Sequence, residues 1–287
     1  MIALKGSDAI TQAMRLAAER GLLPTEMGSA ELQEMTLRLR ERVFFSARTA
    51  NLWYLDKLKA LVERYVRGEG RDNDLAQLRV EARKLLAQAG YTPEAGFPGD
   101  DALGIPPATA GSLRDLSSER RLNLIYDTQA DLMRGLGLKL RGATRIDRWP
   151  SWELVRVAKF SSEYQREWPK RFEIAADNVD WWGVSREAFA QGRMIALKSS
   201  PVWRALGSSA LFPDALNTDH SPFAFSSGMG WREVPLEQTE EFGLAPLFAP
   251  PPEVKAAPRI LPPADAAKLE RFRKLQAKFN QIDAARR

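Results

Sequence analysis

The sequence predicts a mainly α-helical fold with a smaller α+β, tryptophan-rich C-terminal domain and a terminal helix tethered by prolines. Apolar residues recur at helical spacing through the first half, which indicates helices. Seven of the eight tryptophans lie between Trp149 and Trp231, which places the densest core there. We therefore expect a helical region at 1–144, an α+β domain at 145–244, a proline-rich arm at 245–264 and an amphipathic helix at 265–287.

In the N-terminal half, glycines and prolines separate the predicted helices. Residues Ala30–Arg67 contain neither proline nor glycine and predict one long helix, about 55 Å in length at 1.5 Å per residue. Its neighbours are shorter: a helix capped by Ser7 and ended by Gly21, one from Asp74 to Gly90, and one from Ser117 or Ser118 that Gly135 and Gly137 stop.

Beyond Arg148 the pattern changes to short strands and short helices. The strands are predicted at Trp152–Val157 and Arg193–Lys198. The helices are predicted up to Trp168, where Pro169 marks a boundary, and at Val184–Gly192, Pro201–Leu206 and Pro235–Phe242.

The stretch Trp203–Trp231 organises this domain. It has too many proline, glycine, serine and aspartate residues for one helix, and too much apolar mass for a solvated loop. We expect its large aromatic side chains to be buried and to hold the stretch against the strand Arg193–Lys198. These side chains are Trp203, Phe212, Phe223, Phe225 and Trp231. Gly228 and Gly230 are expected to supply backbone angles that other residues resist.

The amino-acid composition excludes several kinds of site. The 42 basic and 37 acidic residues give a net charge of +5, which permits nucleic-acid contact without requiring it. The absence of cysteine excludes disulfides, cysteinyl zinc sites and thiol catalysis. No signal-peptide core or membrane-length apolar run is present, so we expect a protein of the cytoplasm or of a particle assembled there.

Catalytic signatures are lacking, and we predict no catalytic residue, cofactor site or metal site. The single histidine, His220, allows one His-centred triad, with Ser226 or Ser227 as nucleophile and Asp214 or Asp219 as the orienting group. The favoured interpretation is that His220 makes hydrogen bonds within a turn.

Two tryptophan pairs, Trp149/Trp152 and Trp181/Trp182, could form a base-stacking platform with nearby cations. Those cations are Arg145, Arg148, Lys170 and Arg171. At this density, tryptophans are more typical of a core or an interface, and this is the interpretation we favour.

The predicted terminal helix carries one narrow apolar seam on an otherwise charged surface. The seam consists of Leu269, Phe272, Leu275, Phe279 and Ile282, and these residues are the candidate partner interface. Such a seam should dock on this chain's own body or on a neighbouring subunit.

Four phrases of the sequence form a recognisable series: RRLNLIYDTQADLMRGLG at Arg120–Gly137, WPSWELVRV at Trp149–Val157, Pro201–Trp203, and PFAFSSGM at Pro222–Met229. Together they resemble the Mu-type (MuF-like) phage head morphogenesis, or minor head protein, family. The resemblance covers Arg120–Leu244. The chain lacks the family's R-x-x-H and cysteine-rich ending, so the resemblance brings no metal site with it.

The resemblance implies a structural virion protein of a tailed-phage head or neck. Such a minor capsid protein would be portal-associated, act in head morphogenesis and be oligomeric within the assembly. Its partners would be portal or capsid proteins, with double-stranded DNA as a further partner and no membrane. It would be present in host cytoplasm during assembly. The alternative from a different class is a phage-derived nucleic-acid-processing enzyme, such as a nuclease.

Overall fold

The computed structural model describes residues 6–32, 35, 37–67, 75–93, 106–158 and 166–245. Helices dominate it and the sheet region is small, as the sequence predicts. The helices are α1 (Gly6–Ala18), α2 (Ser29–Leu32), α3 (Leu37–Arg42), α4 (Leu52–Arg67), α5 (Leu75–Gln88), α6 (Glu119–Ala143), α7 (Trp168–Asn178), α8 (Arg186–Ala190), α9 (Val202–Leu206) and α10 (Leu236–Glu241). The strands are β1 (Gly21–Leu22), β2 (Val43–Phe44), β3 (Ser151–Arg156), β4 (Ile195–Leu197) and β5 (Met229–Val234).

Contacts divide these residues into two compact units. One unit holds residues 14–130, and the other holds 6–13 together with 131–245. Helix α6 contributes its first half to one unit and its second half to the other. The predicted arm at 245–264, apart from Ala245, and the predicted helix at 265–287 lie outside the described residues.

The unit of residues 14–130 is helical apart from one pair of short parallel strands, β1 and β2. Its larger core lies between α4, α5 and the first half of α6, where Leu58, Leu78 and Leu122 are fully buried. The helix predicted from Asp74 to Gly90 is confirmed as α5, and Gly90 has a φ of 70°, typical of a helix C-terminus.

The prediction of one long helix over Ala30–Arg67 is wrong. The chain interrupts it to form β2, and Arg48 has a φ of 63°, which no right-handed helix contains. Helix α4 then starts afresh, and the Asn51 side chain accepts a hydrogen bond from the Tyr54 N–H at 2.9 Å. The apolar residues do recur at helical spacing, but they belong to two different cores. Those in the first part of the range lie in the core that contains Met35, and those in the second part lie in the core that contains Phe44.

The prediction that Gly135 and Gly137 stop a helix is also wrong, because α6 continues through both to Ala143. Its start agrees with the sequence, since Ser118 Oγ accepts the Arg121 N–H at 3.1 Å, as an N-cap does. Glycine is required at position 135 because the Ser221 backbone packs against it. A β-carbon at this position would lie 1.8 Å from the carbonyl oxygen of Ser221.

The unit that contains 131–245 is built on an antiparallel three-stranded sheet of order β4-β3-β5. Trp152 pairs with Ala196 on one side, and Leu154 pairs with Trp231 on the other. Both predicted strands are confirmed, and so are the short helices α8, α9 and α10. Helices α7 and α9 pack together. Phe172 of α7 and Trp203 of α9 lie in one hydrophobic core with Trp152 of β3.

The boundary predicted at Trp168 and Pro169 is the start of a helix, and most of the helix predicted before it falls outside the described residues. Helix α7 covers Trp168–Asn178, and Pro169 lies in its first turn. Proline fits that position because the first turn has no intrahelical acceptor for its missing N–H. The preceding residues 159–165 are outside the described residues.

Candidate functional site

The organising stretch contributes three rings to an aromatic cluster, which we define as Trp152, Trp203, Phe223 and Trp231. Trp152 and Trp231 stack with centroids 3.9 Å apart and planes only 8° from parallel. Trp203 meets both edge-on, with its centroid 6.0 Å from that of Trp152 and 5.5 Å from that of Trp231. Such packing, with little exposure of any of the four rings, makes them a structural core.

The predicted burial of the stretch is confirmed for Trp203, Phe212, Phe223 and Trp231, whereas Phe225 is only partly buried. The indole N–H of Trp203 donates to the carbonyl of Leu197 at 2.9 Å, which ties the stretch to β4 as expected. The indole N–H of Trp231, although buried, has no hydrogen-bond partner among the described residues.

The two glycines near the end of the stretch, Gly228 and Gly230, have different roles. Gly228 has a φ of 63°, as predicted for a residue chosen for its backbone freedom. Gly230 does not have a left-handed backbone, so that part of the prediction is wrong. A β-carbon there would lie 2.8 Å from both γ-carbons of Val157, so close packing accounts for this glycine.

A loop of the stretch, residues 218–222, docks on the second half of α6. The Ser221 carbonyl lies over Gly135, and Lys139 Nζ donates to both carboxylate oxygens of Asp219 at 2.7 and 2.6 Å. His220 is buried, and its Nδ1 lies 2.8 Å from the Ser221 carbonyl oxygen. Because a carbonyl only accepts, Nδ1 carries the proton, in line with the turn role expected of this histidine.

The groups proposed for a triad make other contacts in this structure. Ser227 Oγ donates to the Pro222 carbonyl at 2.6 Å, and Ser226 is exposed with a φ of 49°. Asp214 receives hydrogen bonds from Arg166 and Arg171, and Asp219 from Lys139. These contacts give Ser227, Asp214 and Asp219 structural roles.

Asp214 is the centre of a charged cluster that the sequence did not reveal. Arg171 donates to it at 2.7 Å while its guanidinium lies 4.1 Å from the centroid of the Phe212 ring. Burial opposes ionisation of Asp214, but the hydrogen bonds from Arg171 and Arg166 outweigh it and hold the pKa below its ordinary value. Arg171 is itself buried, so it cannot belong to an exposed base-stacking platform.

Two further charged side chains with little exposure, those of Glu153 and Lys198, form ion pairs within and beside the sheet. Arg193 donates to both oxygens of Glu153, at 3.0 and 2.7 Å, and Arg232 also bonds this carboxylate. Burial opposes ionisation of Glu153, yet these hydrogen bonds hold its pKa below the ordinary value. Lys198 is buried beside Gly142 and Glu233, and burial lowers the pKa of its ammonium despite that partner.

Exposed cations remain near the C-terminal end of α6. Arg145 and Arg148 are exposed, and the guanidinium of Arg145 lies 5.7 Å from the Trp149 ring centroid. Arg145 also pairs with Glu233 at 3.0 Å. The sequence grouped these residues with Trp152, but that ring is buried in the aromatic cluster. Of the pair Trp149/Trp152, only Trp149 is partly exposed beside the two arginines.

Trp181 occupies a position that sequence patterns could not anticipate. Its φ is 59° and that of Asp180 is 52°, so the chain leaves α7 through two consecutive left-handed residues. A bulky residue in this region is uncommon and persists only when its surroundings fix it. The Trp181 indole N–H donates to Asp177 at 2.6 Å, and Arg186 lies 4.3 Å from its ring centroid.

The described ranges are 6–32, 35, 37–67, 75–93, 106–158 and 166–245. These ranges hold no group of three or more histidine, aspartate or glutamate side chains placed to bind a metal ion. No helix that the structure describes is both long enough and apolar enough to cross a membrane. The candidate interface residues Leu269, Phe272, Leu275, Phe279 and Ile282 lie outside the described residues.

Comparison with known proteins gives no match to a family model, a curated protein or a solved structure.

Proposed function

We propose that this chain is a structural component of a tailed-phage head or neck, a minor capsid protein of the Mu type that contacts the portal. The proposal begins from the resemblance at Arg120–Leu244. Its phrases are separated along the chain by other helices, strands and loops, so a common structural unit requires the phrases to pack on one another.

The observation that carries the proposal is the contact among these four phrases in the fold. Gly135 of the first phrase contacts Ser221, which directly precedes the last phrase. Trp152 of the second phrase lies edge-to-face with Trp203 of the third. Trp203 in turn packs against Phe223 of the last phrase at a centroid separation of 6.3 Å. The second, third and last phrases thus pack on one another, and the end of the first phrase lies against the residue that precedes the last.

The chemistry of the polar groups supports a structural role over a catalytic one. The chain's only histidine is buried against a carbonyl, and the carboxylate of Asp214 is neutralised by two arginines. A general base needs an accessible lone pair within reach of a substrate proton. Groups committed to internal pairs serve rigidity, which a part of a capsid needs.

Arg145, Arg148 and Trp149 support double-stranded DNA as a further partner. Arginines on an exposed surface can bind phosphates without reading sequence. Their position at the C-terminal end of α6 also stabilises the helix dipole, so DNA contact is a second role for them.

The experiment that tests the proposal is quantitative mass spectrometry of particles purified from the source strain after induction. We expect this chain to co-purify with the portal and major capsid proteins through a density gradient, at a copy number far below that of the capsid protein. Its absence from both particles and precursor heads would contradict the proposal.

The seam of the predicted terminal helix provides a matched variant. Phe272→Asp with Phe279→Asp should abolish incorporation, since each buried aromatic contributes about 1.5–3 kcal/mol to docking. Ala277→Asp with Gln281→Asp introduces the same two negative charges outside the seam and should preserve incorporation. Equal incorporation of both variants would show that the seam is not the interface.

A cleavage assay separates this function from the nuclease alternative. Purified chain incubated with plasmid DNA and Mg²⁺ or Mn²⁺ is expected to leave the DNA intact. Metal-dependent cleavage that disappears on changing one aspartate or glutamate would establish the nuclease and contradict the structural role.

A further inference from the structure

A partly exposed aromatic surface lies on α8 and on the turn after α7. We define the Trp181 surface as Trp181, Arg186 and Phe189. The rings of Trp181 and Phe189 meet edge-to-face with centroids 5.4 Å apart, and both are partly exposed. Asp177 and Arg186 fix the orientation of the indole. The surface is therefore preformed, and its rings do not need ordering on contact.

The described chain ends beside this same helix. Ser185 Oγ, at the N-cap of α8, donates to the Phe242 carbonyl at 2.7 Å. Gly243 lies against Glu187, since a β-carbon there would be 3.2 Å from its carboxylate. Leu244 is buried in a cluster with Ala188. Three successive residues before the proline-rich segment are thus anchored to α8.

The segment that follows this anchor is long enough to span the width of a helix. Residues 246–259 follow directly and include Pro246, Pro250, Pro251, Pro252 and Pro258. A polyproline segment advances about 3.1 Å per residue, so the triple proline can reach roughly 15–20 Å from Ala245. A helix with its side chains is only about 10–12 Å wide.

We propose that residues 246–259 of the same chain dock on the Trp181 surface. Proline rings pack on partly exposed aromatic rings, as in other modes of polyproline recognition. The surface and the segment each carry both signs of charge, because Asp177 and Arg186 contact the indole and the segment carries Glu253, Lys255 and Arg259. Tethering at Leu244 raises the effective concentration of the segment, which favours its own chain over a second copy.

The absence of cysteine in the chain permits a clean cross-linking test. In the full-length protein, Ala190→Cys on α8 is combined with Ala249→Cys in the segment, and disulfide formation under mild oxidant is followed on non-reducing gels. The matched control combines Ala249→Cys with Lys170→Cys, an exposed position at the other end of α7. We expect an intramolecular disulfide that forms about tenfold faster with Ala190→Cys than with the control.

A second variant separates specific docking from mere proximity. Changing Pro250, Pro251 and Pro252 to serine in the Ala190→Cys/Ala249→Cys background should lower the rate to that of the control. Glu253→Ser in the same background should leave the rate fast. Equal rates for all pairs, no effect of the triple change, or disulfides formed only between chains would each overturn the proposal.

Discussion

Gly135 lies directly beneath Ser221, so close that a β-carbon on the glycine would be 1.8 Å from the serine carbonyl oxygen. Helix α6 therefore accepts the loop of the organising stretch only because residue 135 has no side chain. Lys139, one turn further along the helix, bonds Asp219 of the same loop. Together the two contacts join the helix to the aromatic domain.

Gly135→Ala should destabilise the protein. Alanine favours a helix over glycine by about 1 kcal/mol, but overpacking typically costs about 1–3 kcal/mol, and here the obstacle is backbone that cannot rotate away. Urea denaturation measures the net effect. Arg134→Ala, at an exposed neighbouring position, is the control and should change stability little. A Gly135→Ala protein as stable as the wild type would show that the loop does not depend on this contact.

The same contact shows what sequence patterns can and cannot predict. Short elements such as β3, α5 and α9 were predicted correctly because their signals are local: alternation, helical spacing, and caps. Gly135 was misread as a stop signal because its reason lies 86 positions away at Ser221. The helix over Ala30–Arg67 failed for a related reason, since helical periodicity does not tell whether one core or two receive the apolar face.

The candidate site was predictable only in part. The burial of Trp203 and the turn role of His220 follow from composition and context. The Arg166–Asp214–Arg171 cluster joins residues 43 and 48 positions apart, and no local pattern marks it. The left-handed Trp181 was also missed, because the common signal for such a backbone is glycine or asparagine.

Gly228 and Gly230 offer a matched pair of substitutions. Gly228→Ala should cost about 1–3 kcal/mol, because the residue has positive φ and a β-carbon would lie 2.9 Å from the Ala158 carbonyl oxygen. Gly230→Ala should cost less, since it meets only the methyl groups of Val157, which is 64% exposed and can move. Thermal melts of the two variants test this order, and a reversed order would contradict the account of the stretch.

Glu153 should make stability depend on pH. Its pKa is lowered in the folded protein, so the unfolded chain binds more protons as pH falls through the ordinary glutamate range. The stabilisation is present above about pH 5 and is lost progressively below it. Glu153→Gln should lose about 1–3 kcal/mol at pH 7 and show a shallower decline in acid.

The control for this titration is Glu237→Gln, which removes an exposed carboxylate from α10 without touching Arg193 or Arg232. It should follow the wild-type melting temperature across pH 3–7. If Glu153→Gln declines in acid as steeply as the wild type, the ion-paired glutamate is not a source of the acid sensitivity.

The central claim is that the tryptophan-rich stretch forms the structural core of its domain, and the thermal melt of Trp203→Ala tests it most directly. Trp203 is 2% exposed and contacts Trp152, Phe223 and Trp231, so its truncation should cost about 3–5 kcal/mol. A large fall in melting temperature is the expected result. An unchanged melting temperature together with loss of portal or DNA binding would contradict the claim and make Trp203 part of a binding surface.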